Sequence, residues 1–586
     1  MHFLMFNNAL IINDLKNMKI NNYLLKINIA IGLILWLTVL NKSFAQRPQI
    51  EEVTIIGSYT PHISDANKIL RNPMLKDTSI VLKPIEYQII SRPLHLSFPL
   101  YTIEAQKVQA ESDVKYLKNY LRLGMGSLIN PYADVYAHIP QSKRTSFGIH
   151  YRHHSAQADI KDYGESSFSD NLVEIYGKTI GKTLAWSGGI NYQRNMLHWY
   201  GFNPLKYSLP ENSDTSITKQ IYTRLRGSIG LKKNISNHDP FYYDSRLDAL
   251  WMEDKYGTSE LNLSYFGNFQ YTNSILSAQS NDKIGIALEA NFWNNQWDLY
   301  ADDRTGLISF HPYFSTQIDE YELYAGLNTS IIADSGDTKV YVFPELRGGL
   351  TIIKDILKAY VGIKGDITRN NLNQFSTTNP FISTYVPFNF RKNSFEFYGG
   401  LSSNLGRYIG LNASISTSNF TNQAFFINDT SVPLYNQFTA IYDSGNVLKV
   451  NAEISFHKQE NIIFNLGINY SSYSLENQLK PWHIPEFMVY ANGRFAFGKK
   501  FIFKPIIYFQ SKTYAKIFEN QNGTWIEPEP YEIDPFLDLS VGLEYRISPQ
   551  FSAFADFNNI TGGNYQRWYN YPVHGFNVMA GITYSF

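Results

Sequence analysis

The chain has 586 residues with 51 Lys and Arg against 51 Asp and Glu, so its formal net charge is zero. This balance argues against a nucleic-acid-binding protein, which carries a basic excess to neutralise phosphates. The lack of cysteine excludes disulfides and zinc–thiolate sites, and the aromatic content of 15% excludes an intrinsically disordered chain. The mean hydropathy of −0.26 excludes a bundle of membrane helices, but it is compatible with a membrane β-barrel, whose strands are only half apolar.

The first 45 residues have the layout of a secretory signal peptide. Three lysines precede an uncharged apolar run at 29–40, which is too short for a membrane-spanning helix of about 20 residues. Small residues follow at Ser43 and Ala45, the positions that precede a cleavage site before Gln46. We therefore predict a signal peptide at 1–45 and an exported mature chain, with a short buried helix as the alternative interpretation.

Strict alternation of apolar and polar residues recurs along the chain and indicates β-strands. The clearest example is the C-terminal segment, whose apolar face comprises Phe576, Val578, Ala580, Ile582, Tyr584 and Phe586. Strands that cross a bilayer on a tilt need about 9–11 residues, and aromatic residues recur at the ends of these segments as in membrane girdles. We predict an all-β fold over 116–586, a transmembrane antiparallel β-barrel in contact with outer-membrane lipid. A soluble sheet protein is the alternative.

The lengths of the links between candidate strands predict how many strands the barrel has. Twenty-three candidate segments begin between Tyr116 and Gly575, whereas single-chain bacterial barrels have an even number with short periplasmic turns and long external loops. If Phe586 lies at the periplasmic rim, the links alternate correctly only when 434–443 belongs to one external loop, 420–446. This assignment predicts 22 strands.

Three histidines on the third predicted strand are the strongest candidates for a metal site. His150 and His154 share a face, but four residues of strand separate them by about 13 Å, too far for one zinc ion. We therefore interpret His150, His153 and His154 as polar residues of the lumen or rim, and Asp302-Asp303-Arg304 as a solvated turn. No motif for catalysis or cofactor binding occurs in a usable context, so we predict neither an enzyme nor a cofactor.

The C-terminal region resembles the terminal signature of TonB-dependent receptors. Asn558-Asn559-Ile560 is followed by an aromatic-rich loop, by Tyr571-Pro572 and by Gly575, before the final strand ends at Phe586. The customary Arg after the glycine is Phe576 here, and the customary Pro before it is His574. The resemblance implies an outer-membrane receptor barrel inserted by the barrel assembly machinery, with Ile582, Tyr584 and Phe586 as the assembly signal. The abundance of Asn, Tyr and Ile is typical of a Bacteroidota sequence.

The start of the mature chain resembles a TonB box, the segment through which such receptors bind TonB. Its residues are Glu52, Val53, Thr54, Ile55 and Ile56. An extended β-branched segment of this kind pairs its backbone with an edge strand of a periplasmic partner. An ordinary short strand is the alternative interpretation.

The region between this segment and the barrel departs from the family pattern. Receptors of the family have a globular plug there, whereas this chain has only 58–115, which is interrupted by five prolines. Proline cannot donate a hydrogen bond inside a sheet, so we interpret 46–115 as an extended segment. It is either a vestigial plug or an arm that lies in the periplasm or runs through the lumen.

Two functions follow from this reading. The first is transport of a bulky solute across the outer membrane. The alternative is a plugless barrel that serves as a structural or assembly partner of a lipoprotein or periplasmic complex and transports nothing. A barrel of 22 strands without a plug would leak, which argues against transport, whereas the alternative explains the missing plug if a partner caps the lumen.

Overall fold

The computed structural model describes residues 119–586, apart from 141–143, 206–214, 235–238, 278–279, 299–300, 335, 459–460, 522–523 and 527–528. The predicted signal peptide at 1–45, the TonB-box-like segment and the rest of 46–115 lie outside the described residues. In the described part of the chain, no helix is both long and apolar enough to span a membrane.

Twenty-two of the described strands form one antiparallel sheet. Those in the first half are β1 Asn119–Gly126, β2 Tyr132–Pro140, β3 Thr145–Ala156, β4 Phe168–Ile180, β5 Leu184–His198, β6 Lys219–Lys233, β7 Phe241–Asp254, β8 Ser259–Asn273, β9 Asp282–Gln296, β10 Asp303–Ile318 and β11 Tyr321–Asp334. Those in the second half are β12 Asp337–Ile353, β13 Leu357–Arg369, β14 Phe390–Leu405, β15 Ile409–Asn428, β16 Phe438–Lys458, β17 Ile462–Leu475, β18 Phe487–Phe497, β19 Phe501–Gln510, β24 Phe536–Arg546, β25 Phe551–Asn558 and β28 Asn577–Ser585.

The links between these strands contain short helices and strands. They are a 3₁₀ helix Thr215–Thr218, a helix α1 Leu372–Thr378, and the strands β20 Thr513–Ala515, β21 Glu519–Gln521, β22 Thr524–Ile526, β23 Tyr531–Ile533, β26 Gln566–Trp568 and β27 Tyr571–Pro572. β20 pairs with β23, β21 with β22, and β26 with β27, all antiparallel and all separate from the main sheet.

The main sheet closes into a barrel because its first strand pairs with its last. β1 lies between β2 and β28, with Leu121 opposite Tyr584 and Leu123 opposite Ile582. The backbone of Asn119 also exchanges two hydrogen bonds with the backbone of Phe586, at 2.9 and 3.1 Å. The described residues therefore confirm the predicted barrel of 22 strands, and closure leaves the main sheet without an edge.

The two ends of the barrel differ in the length of their links, as the parity argument predicted. Tight turns such as 319–320 and 406–408 lie at one end, which we call the short-turn end. The long links, including 199–218, 370–389 and 559–576, lie at the other, which we call the long-loop end. The C-terminus lies at the short-turn end.

The wall of the barrel is apolar outside and polar inside. Along β12, Leu346 is exposed on the outer face, whereas its neighbour Arg347 is one of the residues on the inner face. In β28, Ile582 and Tyr584 are likewise exposed while Thr583 between them is buried. An apolar outer surface around a polar lumen is the pattern that lipid requires of a barrel with a wet interior.

The segment 420–446, predicted to be an external loop, is mostly strand, and this part of the prediction was wrong. β15 continues to Asn428 and β16 begins at Phe438, so the two strands extend the barrel wall as a long hairpin. Both faces of that hairpin are covered: Phe426 packs into one apolar cluster and Phe425 into another. A strand with two apolar faces shows no alternation, which explains why the sequence pattern did not reveal it. The count of 22 was nevertheless correct, because the segment adds length and not another strand.

The seam between β1 and β28 depends on the lack of a side chain at Gly581. A Cβ at this position would lie 1.9 Å from the Leu123 carbonyl oxygen and 2.7 Å from the Gly124 Cα. Because both atoms belong to the backbone of the neighbouring strand, we expect Gly581→Ala to oppose closure of the barrel, at a cost of at least about 1–3 kcal/mol. The measurement is the fraction of protein that migrates as the folded, heat-modifiable form in an unheated SDS gel.

Gly227 on β6 supplies the matched control, since a Cβ there would meet no atom within 4 Å. Gly227→Ala should leave the folded fraction unchanged. Equal folded fractions for the two alanine variants would contradict the assigned seam.

Candidate functional site

Segments from the long-loop end fold inward and pack against one another over the mouth of the barrel. We call this assembly the lid; it comprises 199–205, 370–389, 429–437, 476–486 and 559–576, together with the tip of the β15–β16 hairpin. Its buried apolar cluster joins residues of the lid to the inner wall. The members of the cluster are Tyr222, Met252, Leu372, Phe375, Ile382, Val386, Ala424, Phe426, Phe438, Ala440, Trp568 and Tyr571.

The lid crosses the mouth of the barrel from one side to the other. Trp199 follows β5, and Asn436 lies between β15 and β16, half of the 22-strand ring away. The Asn436 side-chain amide donates to the Trp199 carbonyl at 2.5 Å, and the Tyr571 hydroxyl donates to the Asn436 carbonyl. Three segments from distant parts of the ring therefore meet at Asn436.

Aromatic stacking fixes the centre of the lid. The rings of Tyr571 and Phe381 stack with centroids 3.7 Å apart, and Tyr200 meets the Tyr571 ring edge-on at 4.8 Å. The Tyr200 hydroxyl donates to the Pro572 carbonyl at 2.9 Å. Aromatic pairs of this kind contribute about 0.5–1.5 kcal/mol each beyond the area they bury, so the centre of the lid is a specific contact.

Helix α1 carries one face of the lid toward the inner wall. Asn371 caps it by accepting the Gln374 N–H at 2.8 Å, as short polar side chains do before a first helical turn. Leu372 and Phe375 are buried in the apolar cluster, and Ser376 on the same side faces the strands of the barrel.

Arg224 on β6 holds the helix to the wall. It is only 8% exposed, and its three guanidinium nitrogens donate to Asn373 at 3.1 Å, to Ser376 at 2.7 Å and to Asn195 on β5 at 2.6 Å. Asn195 in turn donates to Asp170 on β4 at 2.6 Å. The buried positive charge of Arg224 is therefore linked through the Asn195 amide to a carboxylate two strands away.

A second set of polar contacts anchors the start of loop 370–389, which contains helix α1. Glu260 on β8 is fully buried and accepts the Leu372 N–H at 2.7 Å and the Asn295 amide at 3.0 Å. Arg369 donates to the same Asn295 at 3.0 Å and pairs with Asp303. The interpretation of Asp302-Asp303-Arg304 as a merely solvated turn was therefore wrong for Asp303, which neutralises a buried arginine.

The far end of the loop is held by Asp254 at the end of β7. Its carboxylate accepts the Thr384 hydroxyl at 3.0 Å and the Gln220 amide at 3.2 Å, while the Thr258 hydroxyl donates to the Thr384 carbonyl at 3.4 Å. Loop 370–389 begins after β13 and is thus bonded to strands about a third of the ring away.

His483 lies inside the lid, and neither of its ring nitrogens has a hydrogen-bond partner among the described residues. It is 6% exposed, and its ring packs against Phe438 at 5.4 Å and Trp568 at 5.1 Å. Its backbone has φ of +59°, the left-handed region that non-glycine residues seldom adopt. Burial among aromatic rings lowers the pKa of His483 from its usual value of 6.5 to about 3, so the lid is built around a neutral imidazole.

A cavity of about 840 Å³ lies between the underside of the lid and the wall formed by β4, β5 and β6. This volume is within the range of about 300–1,000 Å³ typical of pockets for small ligands. Its wall carries Asp170, Glu174, Asn191, Gln193, Asn195, Arg224 and Arg226, and its roof carries Asn373, Ser376, Thr377, Pro380 and Phe381. The cavity can therefore accommodate a polar solute that contacts both wall and lid.

The three histidines of β3 each have a partner of their own. His150 lies 2.8 Å from the Asp134 carboxylate, His153 lies 2.7 Å from the Asn171 side-chain oxygen, and His154 packs edge-on against Phe168. Among the described residues, no group of three or more His, Asp or Glu side chains is arranged to hold a metal ion.

The sequence analysis did not single out Arg224, Glu260 or Arg369. Each occupies an inner position of an alternating strand, where a polar residue is expected in any case. Loop 370–389 contains no catalytic or binding motif, so its length was the one sequence feature that could have pointed to a role.

The neutral His483 makes the lid sensitive to acid. Because the folded pKa is below the unfolded value, the stability that this residue supports is complete above about pH 6.5. It falls as the pH drops from there toward 3, by about 1.4 kcal/mol per pH unit. We expect hydrogen exchange in 429–437 and 476–486, corrected for intrinsic rates, to accelerate up to about tenfold for each pH unit below 6.5.

His483→Asn should remove most of this acceleration, since asparagine tolerates a positive φ and does not titrate. The exposed His457 at the short-turn end is the matched control, and His457→Asn should keep the wild-type pH profile. A wild-type profile in His483→Asn would show that another group controls the lid.

No protein-family model and no curated protein matches the chain. Solved structures do match. One is the pyoverdine outer-membrane receptor FpvA from Pseudomonas aeruginosa PAO1, bound to pyoverdine, with a TM-score of 0.60, 12% identity, and coverage of 80% of this chain and 78% of that one. Another is the ferric-catecholate import receptor Fiu from E. coli K12, with a TM-score of 0.60, 9% identity, and coverage of 80% and 82%. A third is the iron transporter FrpB from Neisseria meningitidis, with a TM-score of 0.58, 12% identity, and coverage of 80% and 81%.

At these levels of identity the likeness concerns the fold. The 22-strand barrel has the architecture of the barrel part of TonB-dependent receptors, which the C-terminal motif had predicted.

Proposed function

We propose that this chain is an outer-membrane barrel that takes part in the transport of a bulky solute, with the lid as its external gate. The long-loop end faces the outside, since outer-membrane barrels have short periplasmic turns and long external loops. The observation that carries the proposal is the contact between Asn436 and Trp199, which joins opposite sides of the mouth above a cavity of ligand size. A barrel that transports nothing would also need to be closed, but it would not need a cavity of ligand size beneath the lid.

The contacts of the lid suit a part that opens. The wall is held by continuous ladders of backbone hydrogen bonds. The lid is held by separate backbone bonds, such as that from the Ser383 N–H to the Phe438 carbonyl, and by side-chain contacts such as those of Arg224 and Tyr571. Segments that lack a continuous ladder of backbone hydrogen bonds open at a lower free energy than that of global unfolding. The lid can therefore move while the barrel stays closed in the membrane.

The direction of transport and its partners are part of the proposal. The matched structures include an import receptor and an iron transporter, which supports inward movement of a solute here. In this scheme the signal peptide 1–45 directs export, and Ile582, Tyr584 and Phe586 guide insertion by the barrel assembly machinery. Glu52, Val53, Thr54, Ile55 and Ile56 then couple the barrel to TonB, and the rest of 46–115 serves as a reduced plug.

The gate is tested by ion conductance of the purified protein in planar bilayers. Deletion of 58–115 alone should leave the conductance low, because the lid still closes the outer mouth. Adding Arg224→Met to the deletion should raise the frequency of open events about tenfold or more, because each buried hydrogen bond lost costs about 1–3 kcal/mol.

Arg226 lies two residues along the same strand and the same face, and Arg226→Met in the same deletion background is the matched control. It should leave the conductance low. A fully open pore after deletion of 58–115 alone would refute the lid as the gate.

The TonB-box-like segment is tested by binding of the purified periplasmic domain of TonB to the full chain in detergent. Replacing Val53 and Ile55 by Pro should abolish binding, since proline cannot pair in a strand added to a partner sheet. The control exchanges the same residues conservatively, Val53→Ile with Ile55→Val, and should bind as the wild type does. Unchanged binding of the proline variant would make the segment an ordinary strand.

A further inference from the structure

Each of the three strands that form the wall of the cavity under the lid contributes polar groups of a different charge. β4 contributes two carboxylates, Asp170 and Glu174. β5 contributes a column of amides, Asn191, Gln193 and Asn195, and β6 contributes two guanidinium groups, Arg224 and Arg226. Anionic and cationic groups thus line the same cavity on either side of a neutral strand.

The register of the three strands places one carboxylate, one amide and one guanidinium group side by side in a row. Glu174 lies opposite Asn191, and Asn191 lies opposite Arg226. Neighbouring strands are about 4.8 Å apart, so the backbones that carry Glu174 and Arg226 are separated by about 10 Å. Although other ion pairs of the barrel span two strands, such as that of Lys358 with Glu322, the described residues show none between Glu174 and Arg226.

The two charges of this row are available to a ligand. Among the ion pairs of the described residues, none involves Arg226, and Glu174 contacts only the His150 ring, at 3.9 Å. The other two charges of the wall lie in two separate rows and are already engaged: Arg224 binds the lid, and Asp170 accepts from Asn195. Glu174 and Arg226 therefore form an open, oppositely charged pair held apart by an amide.

An ordinary wet barrel wall also carries charges, but nothing requires it to sort them by sign across three strands. A solute with one kind of charge would be attracted by one end of this row and repelled by the other. A neutral solute would leave both Glu174 and Arg226 unused. The arrangement is complementary to a solute that carries a cation and an anion about three peptide units apart, because an extended chain rises about 3.3 Å per residue.

We infer that the cavity binds a short peptide of about three or four residues, with its ammonium group at Glu174 and its carboxylate at Arg226. The amides of Asn191 and Gln193 pair with the peptide groups between the two termini, because an amide both donates and accepts. The Phe381 and Tyr200 rings that line the cavity pack against apolar side chains of the peptide. This inference rests on the proposed transport function only for its biological meaning, since the binding itself does not require the gate to work.

The test is calorimetric titration of the full-length protein in detergent with trialanine, with its N-acetylated and C-amidated forms, and with maltotriose. Trialanine should bind, each blocked form should bind about tenfold more weakly or worse, and maltotriose should not bind. The same titrations with Tyr571→Phe, which loosens the lid away from the cavity wall, ensure that a closed lid does not hide the site.

Two variants assign the ends of the peptide. Glu174→Gln should weaken binding of trialanine about tenfold and leave binding of the N-acetylated form unchanged. Arg226→Gln should also weaken binding of trialanine about tenfold, but it should leave binding of the C-amidated form unchanged. The exposed Lys178 on β4 is the matched control, and Lys178→Gln should bind trialanine as the wild type does. All variants are first checked for the folded, heat-modifiable form.

Equal binding of free and blocked trialanine, or no binding to either the wild type or Tyr571→Phe, would overturn the inference. Preferential binding of maltotriose would assign the cavity to a neutral sugar instead. If Arg224→Met raises the conductance but trialanine does not bind, the peptide site is refuted and the proposed gate stands. If trialanine binds but Arg224→Met does not change the conductance, the proposed gate is refuted and the peptide site stands.

Discussion

In a lipid bilayer every backbone N–H and C=O must find a partner within the protein, and this requirement shapes the whole molecule. A sheet meets it only by closing, so β1 must pair with β28 along the seam at Gly581. Closure of a fully antiparallel sheet also requires an even number of strands. The apolar outer residues, such as Leu346 and Ile582, follow from the same constraint because they replace water with hydrocarbon as their neighbour.

A ring of 22 strands is too wide for the side chains of its wall to fill. The described residues resolve this problem at the outer mouth, where segments from opposite sides meet at Asn436 and Tyr571. The concern that a barrel with a reduced plug would leak therefore loses its force as an argument for a purely structural barrel. Closure from the outside and closure from the lumen are independent, so a short 46–115 does not by itself imply an open pore.

The sequence predicted the barrel well, because strand periodicity and link length are local properties that a single chain displays. Alternation in β24 and β28 and the lengths of the links were sufficient for the count of 22. The extension of β15 and β16 escaped prediction because Phe425 and Phe426 are buried on opposite faces, which erases the alternation.

The lid and its anchors could not be predicted in the same way, since Arg224 and Ser376 are 152 positions apart and only the closed ring brings them together. A polar residue at an inner strand position looks the same whether it faces bulk water or a docked loop. The sites proposed for 1–115 depend on the sequence alone.

The chemistry of the lid anchors explains how a lid can be held in one specific position and still open easily. Buried apolar contacts alone would fasten the lid in proportion to its area, and every opening would expose that area to water. Arg224 and Glu260 add contacts of fixed geometry whose loss is largely offset when water solvates the released charges. Because Arg224 belongs both to the lid anchor and to the cavity wall, a solute that competes for its donors binds more tightly to the open state. By thermodynamic linkage the same solute then favours opening by an equal factor, so the cavity and the lid are coupled through a single side chain.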